Sequence, residues 1–133
     1  MSTQDILQPP GWPRPSGYSN GVMAQGRQVF IAGQVGWDPR EQRFASATLA
    51  DQATQALKNV LAVLEQARGR PEHIVRMTWY LTSRAEYVAQ LKQIGSAYRQ
   101  IMGKHFPAMS AIEVSALIEP EAKVEIEATA IIP

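Results

Sequence analysis

Residues 123–132 alternate without a break. Val124, Ile126, Ala128, Ala130 and Ile132 fall on one side of an extended chain, with Lys123, Glu125, Glu127, Thr129 and Ile131 on the other. A strand of this kind buries one face and leaves the other mixed, so the chain must build a sheet that is covered on one side. Two amphipathic segments can supply the cover. In the first, Leu49, Ala53, Ala56, Leu57, Val60, Leu61, Leu64 and Ala67 recur at spacings of three and four, with Asp51, Lys58 and Glu65 opposite. Thr48 with Asp51 provides its N-terminal cap, and Gly69 ahead of Arg70-Pro71 provides its stop. The second opens on Ser83 and Glu86, buries Tyr87, Leu91, Ile94, Tyr98, Ile101 and Met102, and ends at Gly103.

The remaining apolar runs read as strands. Gly21–Ala24 and Arg27–Ala32, separated by Gln25-Gly26, predict a hairpin, and Ile74–Leu81 and Ala111–Leu117 predict two further strands. The order is ββαβαββ, an α+β domain with two helices on one face of its sheet. The other face, carrying Thr78, Tyr80, Ser115 and Thr129, is left without a cover from its own chain and is available to other subunits. The stretch from Gln8 to Gly17 holds four prolines, which cannot donate ladder hydrogen bonds, so residues 1–17 are expected to run as an extended surface arm anchored by Trp12 and Tyr18. At 133 residues there is room for one domain and no second.

Composition excludes several classes of function. Thirteen Lys and Arg balance twelve Asp and Glu, and a net charge of +1 gives no electrostatic footing on nucleic acid or an anionic membrane. The absence of cysteine removes disulfides, thiolate metal sites and thiol chemistry. No apolar run approaches a membrane span, and Met1 to Pro15 lack the basic and then apolar regions of a signal peptide. The expectation is a soluble, cytoplasmic protein.

Phosphate loops, metal-spaced histidine pairs and nucleophile elbows are missing. His73 and His105 lie far apart and read as structural or solvated. Glu125 has two readings: a carboxylate among apolar positions of a central strand, suited to acid/base work, or one of a solvated row with Glu113 and Glu127. Gly33 and Gly36 frame a turn that either offers backbone N–H groups to an oxyanion or only satisfies chain geometry. Phe106-Pro107-Ala108-Met109-Ser110 is a tight entry into a strand, and the methionines near it fit core filling as well as a cavity. Nothing in the pattern assigns Arg76 or Arg99 to a site.

Taken together, Gly17-Tyr18-Ser19, Phe30-Ile31-Ala32-Gly33-Gln34, Gln52 through Asn59, Phe106 through Ser110 and Val124-Glu125-Ile126-Glu127-Ala128 resemble the Rid family, the reactive intermediate deaminases also called endoribonuclease L-PSP. The resemblance runs from about Tyr18 to the end of the chain. It implies a chorismate-mutase-like fold with a mixed sheet, assembled as a homotrimer whose inter-subunit clefts hydrolyse an imine or enamine to a 2-oxo acid and ammonia, without metal or organic cofactor. Carried over, Glu125 orients or activates the attacking water, the Gly33 N–H contacts the substrate beside Ala32, and Tyr18 lines the pocket.

One position departs from the family motif. Where Pro-Ala-Arg-Ser is expected to grip a substrate carboxylate, this chain has Pro107-Ala108-Met109-Ser110, and Ala32 stands where serine is common. Losing a bidentate, charge-assisted pair costs roughly 1.5–3 kcal/mol. Two readings follow: a hydrolase for a different imine or enamine, with Arg14 as the replacement cation, or a non-catalytic ligand-binding or interaction trimer. An RNA-cleaving translation inhibitor, suggested by the older family name, ranks third.

Overall fold

The computed structural model describes residues 4–133, in which a four-stranded sheet carries three helices. Its strands are β3 (Arg27–Val35), β6 (Ile74–Leu81), β7 (Ala108–Glu113) and β8 (Val124–Ile132), in the spatial order β3-β8-β6-β7. β8 is antiparallel to both neighbours, and β6 is parallel to β7, so the sheet is mixed. The alternation of β8 is realised in full: Val124, Ile126, Ala128, Ala130 and Ile132 are buried and the intervening residues are half-buried. A short β4 (Trp37–Asp38) and β5 (Arg43–Phe44) pair with each other in the connection after β3.

Helix α1 (Leu49–Glu65) packs on β3 and β8 and forms the core with Leu57, Val60 and Leu64 against Ile31, Ile126 and Ala130. The Thr48 hydroxyl accepts from Asp51 N, as its sequence predicts. At the other end Arg68, rather than Gly69, takes the left-handed conformation, with φ 61°. Gly69 is required for space, because a Cβ there would meet Leu64 Cγ at 2.7 Å. A single turn of 3-10 helix at Pro71–His73 leads into β6.

The expected second helix is two: α2 (Arg84–Ala89) and α3 (Leu91–Met102). The break falls at Gln90, whose φ and ψ of −104° and 12° leave the helical region. Its side chain is committed elsewhere, with Oε1 accepting from the backbone N–H of Ala50 at 2.9 Å and so tying the break to the first turn of α1. Both long helices lie on one sheet face, as the one-sided pattern requires.

Three strand expectations are corrected. Gly21–Ala24 forms β2 but does not fold back on β3; it pairs with β1 (Gln4–Leu7), which lies within the segment expected to be an unpaired arm. The prolines begin only at Pro9, so Gln4–Leu7 keeps its N–H groups and can join a ladder, while a turn from Pro9 to Trp12 reverses the chain. Residues 1–3 of that arm lie outside the described residues. β7 starts three residues earlier than expected and stops at Glu113, because its partner β6 ends at Leu81 and nothing remains to pair with. Ser115 is consequently in a loop and not on the open face.

The arm is anchored by a different residue from the two expected. Trp12 and Tyr18 are exposed, whereas Ser19 is buried: its hydroxyl donates to Phe106 O and its N–H to Pro107 O at 3.0 Å. This stitch holds Tyr18 beside the first residues of β7.

Candidate active site

The open sheet face brings Glu125, Gly33 and Ala32 together. β3 carries a bulge there: Ile31 is opposite Ala128 and Gln34 is opposite Ile126, so Ala32 and Gly33 share the single partner position of Glu127. The bulge bends β3 at the point where Glu125 reaches across from β8. The carboxylate of Glu125 lies against the Gly33 Cα, and a Cβ at Gly33 would stand 2.7 Å from Glu125 Cδ. Glycine is needed here for the approach of a side chain.

Two carboxylates occupy this face and they differ. Glu127 accepts a hydrogen bond from Tyr80 Oη at 2.7 Å, and that bond, with lesser help from burial and the negative charges nearby, raises the phenol above its ordinary pKa of 10.0. Glu125 is half-buried and, among the described residues, its carboxylate has no hydrogen bond or ion pair. Beside them an open depression of about 480 Å³ is lined by Phe30, Ala32, Arg76, Thr78, Glu127 and Thr129. Phe30 is 73% exposed on this face, a large apolar side chain with no cover from its own chain.

Tyr18 and Met109 meet elsewhere. They line a cavity of about 470 Å³ between α3 and β7, walled by Trp79, Tyr87, Leu91, Ile94, Tyr98 and Phe106 and closed at one side by Ser16, Gly17, Gly95, Arg99 and Ala111. Tyr98 stacks on Phe106 with ring centres 5.9 Å apart, and Trp79 meets Tyr87 edge-on at 6.4 Å. Burial raises the phenol of Tyr98 well above the ordinary range and pushes that of Tyr87 up as well. The indole N–H of Trp79 is buried and, among the described residues, has no hydrogen-bond partner.

Within one chain the two groups of residues do not meet. Met109 is level with Met77 on the helix-covered face of the sheet, whereas Glu125 is level with Tyr80 on the open face, two strands away. Arg14 is exposed and lies outside the lining of the Tyr18–Met109 cavity, where the cation present is Arg99. No motif marks Arg99 in the sequence. The available signal is Gly95, one turn earlier in a helix interior where glycine costs about 1 kcal/mol.

The other sites weighed in the sequence are structural. His73 Nδ1 accepts from the Arg70 N–H, and the His105 ring contacts the carbonyl of Ile74 at 2.6 Å. Gly36 is packed against Gln52, where a Cβ would be 2.6 Å from Gln52 Cα. A larger depression of about 630 Å³ near Ser115 has Gln52 in its lining, and the amide of Gln52 is already engaged by Ser46 O, Glu121 O and the Lys123 N–H. Among the described residues no three His, Asp or Glu side chains are grouped to hold a metal ion, and no helix is long and apolar enough to cross a membrane.

Comparison with known proteins gives one consistent answer. A family model described as Endoribonuclease L-PSP matches residues 13–132. The chain is 33% identical over 114 residues to a human 2-iminobutanoate/2-iminopropanoate deaminase, covering 86% of this chain and 79% of that protein. It is 34% identical over 119 residues to a RutC family protein of Pyrococcus horikoshii, covering 89% and 90%. Among solved structures, a Rid-family protein of Yersinia pestis superposes with a TM-score of 0.82 at 35% identity, covering 98% of this chain and 99% of that one. The YjgF gene product of E. coli superposes with a TM-score of 0.70 at 30% identity, covering 91% and 93%.

Proposed function

The chain belongs to the endoribonuclease L-PSP family, also called the Rid family, and from that premise we propose that it hydrolyses a small imine or enamine to a carbonyl compound and ammonia. The observation that carries this reading is the Glu125 carboxylate, laid against Gly33 on the open sheet face and, among the described residues, without a partner. A half-buried carboxylate in that position is available to a proton from water. Glu127 is occupied by Tyr80 and is not.

The chemistry balances without a cofactor. Glu125 accepts a proton as the water oxygen bonds to the imine carbon, and the C=N double bond becomes a single bond in a carbinolamine. Glu125 then returns that proton to nitrogen, the C–N bond breaks as the hydroxyl proton passes through Glu125 to the departing nitrogen, and ammonia leaves a C=O behind. An enamine first takes a proton at carbon and gives one up from nitrogen, becoming the imine. In this reading the Gly33 N–H contacts the substrate, which its exposed position at the bulge supports.

The reading includes a homotrimer, with the Tyr18–Met109 cavity of one copy completing the Glu125–Gly33 face of the next. Its support is the placement of the two halves on opposite sheet faces, together with the uncovered Phe30. With Met109 in place of a carboxylate-gripping arginine, the substrate differs from the smallest 2-imino acids. The aromatic cavity around Met109 also favours a second reading, a trimer that binds a small ligand without turning it over. RNA cleavage remains third, for want of a basic surface, and the expected setting is the cytoplasm with neither nucleic acid nor membrane as partner.

The test is ammonia release from freshly generated 2-aminoacrylate and from a panel of imines with and without a carboxylate. Release that disappears in Glu125→Gln supports a deaminase. Unchanged release in Glu125→Gln, or no release from any imine, removes the reaction.

A further inference from the structure

We infer that the cavity between α3 and β7 takes a 2-oxo acid, or its imine, bearing an aromatic or large apolar side chain, with the Arg99 guanidinium holding the carboxylate. This assigns the substrate class of the proposed site and therefore rests on that reading.

Size is the first argument. A three-carbon acid occupies a few water volumes, at about 30 Å³ each, and leaves most of a cavity of about 470 Å³ unfilled. The walls supply the second. Tyr18, Tyr87 and Phe106 present aromatic surface to the cavity, with Leu91 and Met109 beside them, while the buried Trp79 and Tyr98 back Tyr87 and Phe106 and hold their rings in place, which suits a planar apolar group.

The third argument is charge. Among the described residues Arg99 is the single formally charged one lining the cavity, and no acidic side chain pairs with it. It lies in the last turn of α3, where a cation also suits the helix dipole, but the guanidinium is turned back one turn along the helix. Its Nη1 stands 3.5 Å from where a Gly95 Cβ would be. That is an ordinary contact distance, so the guanidinium lies over Gly95, which also lines the cavity. Arginine at this position offers a carboxylate the forked donor that Met109 does not.

The experiment is calorimetric titration of the full chain with phenylpyruvate, pyruvate and phenylacetone, in wild type, Arg99→Gln, Arg99→Lys and Arg14→Gln. Phenylpyruvate should bind at least tenfold more tightly than pyruvate. Arg99→Gln should weaken phenylpyruvate about tenfold and leave phenylacetone unchanged, with Arg99→Lys between and Arg14→Gln like wild type. Equal affinity for pyruvate and phenylpyruvate, or an unchanged phenylpyruvate affinity in Arg99→Gln, overturns the inference. The two failures are separable. Arg99-dependent binding with no ammonia from the phenylpyruvate imine would sink the deaminase alone, and Glu125-dependent ammonia release with Arg99 silent would sink the ligand class alone.

Discussion

Tyr80 Oη donates to Glu127 Oε1 at 2.7 Å, an arrangement that separates two carboxylates standing two residues apart on the same strand. Glu127 is held by a phenol, while Glu125 faces the bulge of β3 with both oxygens uncommitted among the described residues. In the assay for ammonia release, Glu125→Gln should lose on the order of 100- to 10,000-fold in kcat. Glu127→Gln should stay within about tenfold of wild type, since no proton transfer is assigned to it. Equal losses in both would dissolve the distinction.

Gly33 separates activity from stability. An alanine there would press its Cβ on the Glu125 carboxyl and Cγ, parts of a flexible side chain that can swing aside, and the backbone carries no positive φ to forbid the change. Thermal unfolding of Gly33→Ala should therefore shift by less than about 1 kcal/mol in stability, while turnover falls at least tenfold as the carboxylate is displaced. A variant that lost stability and kept its turnover would refute this account of the glycine.

Met109→Arg should restore a carboxylate grip in the Tyr18 cavity. Affinity for pyruvate, measured by calorimetry, is expected to rise about tenfold or more. Phenylpyruvate should gain less, because the long arginine side chain takes up space that the aromatic group needs. No gain for pyruvate would mean that position 109 does not face the ligand.

Stability should fall in strong alkali. Burial raises the Tyr98 and Tyr87 phenols above 10.0, and Tyr98 Oη also donates to the carbonyl of His105 at 2.8 Å. A folded-state pKa above the unfolded value favours the protonated native form. That contribution is complete below pH 10 and is lost as pH climbs toward the raised values. Denaturant titrations from pH 8 to pH 12 should show the decline, and Tyr98→Phe should flatten part of it.

Gly95→Ala should stabilise the protein by up to about 1 kcal/mol, read as an increased denaturant midpoint. The new methyl group would sit at ordinary contact distance, 3.5 Å, from Arg99 Nη1. Gly95→Leu should instead displace the guanidinium and weaken phenylpyruvate binding about as much as Arg99→Gln does.

The parts of this fold that were legible in the sequence are those set by periodicity. The alternation of Val124 to Ile132 and the three-four spacing of Leu49 to Leu64 are local statements about which face is buried, and the structure realises both. Boundaries decided by a distant partner were not legible: β7 stops at Glu113 because β6 stops at Leu81, and the helix breaks at Gln90 where its side chain reaches Ala50. The same holds for the site. Glu125 stands out as a carboxylate among apolar neighbours, and the structure adds its contact with Gly33, which no local pattern encodes. Arg99 was invisible because it is one exposed arginine among several, and only the cavity beside it and the position of its guanidinium over Gly95 single it out.

Because Met109 and Glu125 lie on opposite faces of one sheet, the proposed trimer, in which each site takes one half from each of two neighbours, would behave like a lock needing keys from separate owners. Two chains ruined in different halves can then rescue each other. Refolding Glu125→Gln together with a variant blocked in the Tyr18 cavity would yield mixed rings in which some clefts combine the sound half of each. Neither pure protein would contain such a cleft. Genetic complementation between alleles of a single gene is the signature this geometry leaves.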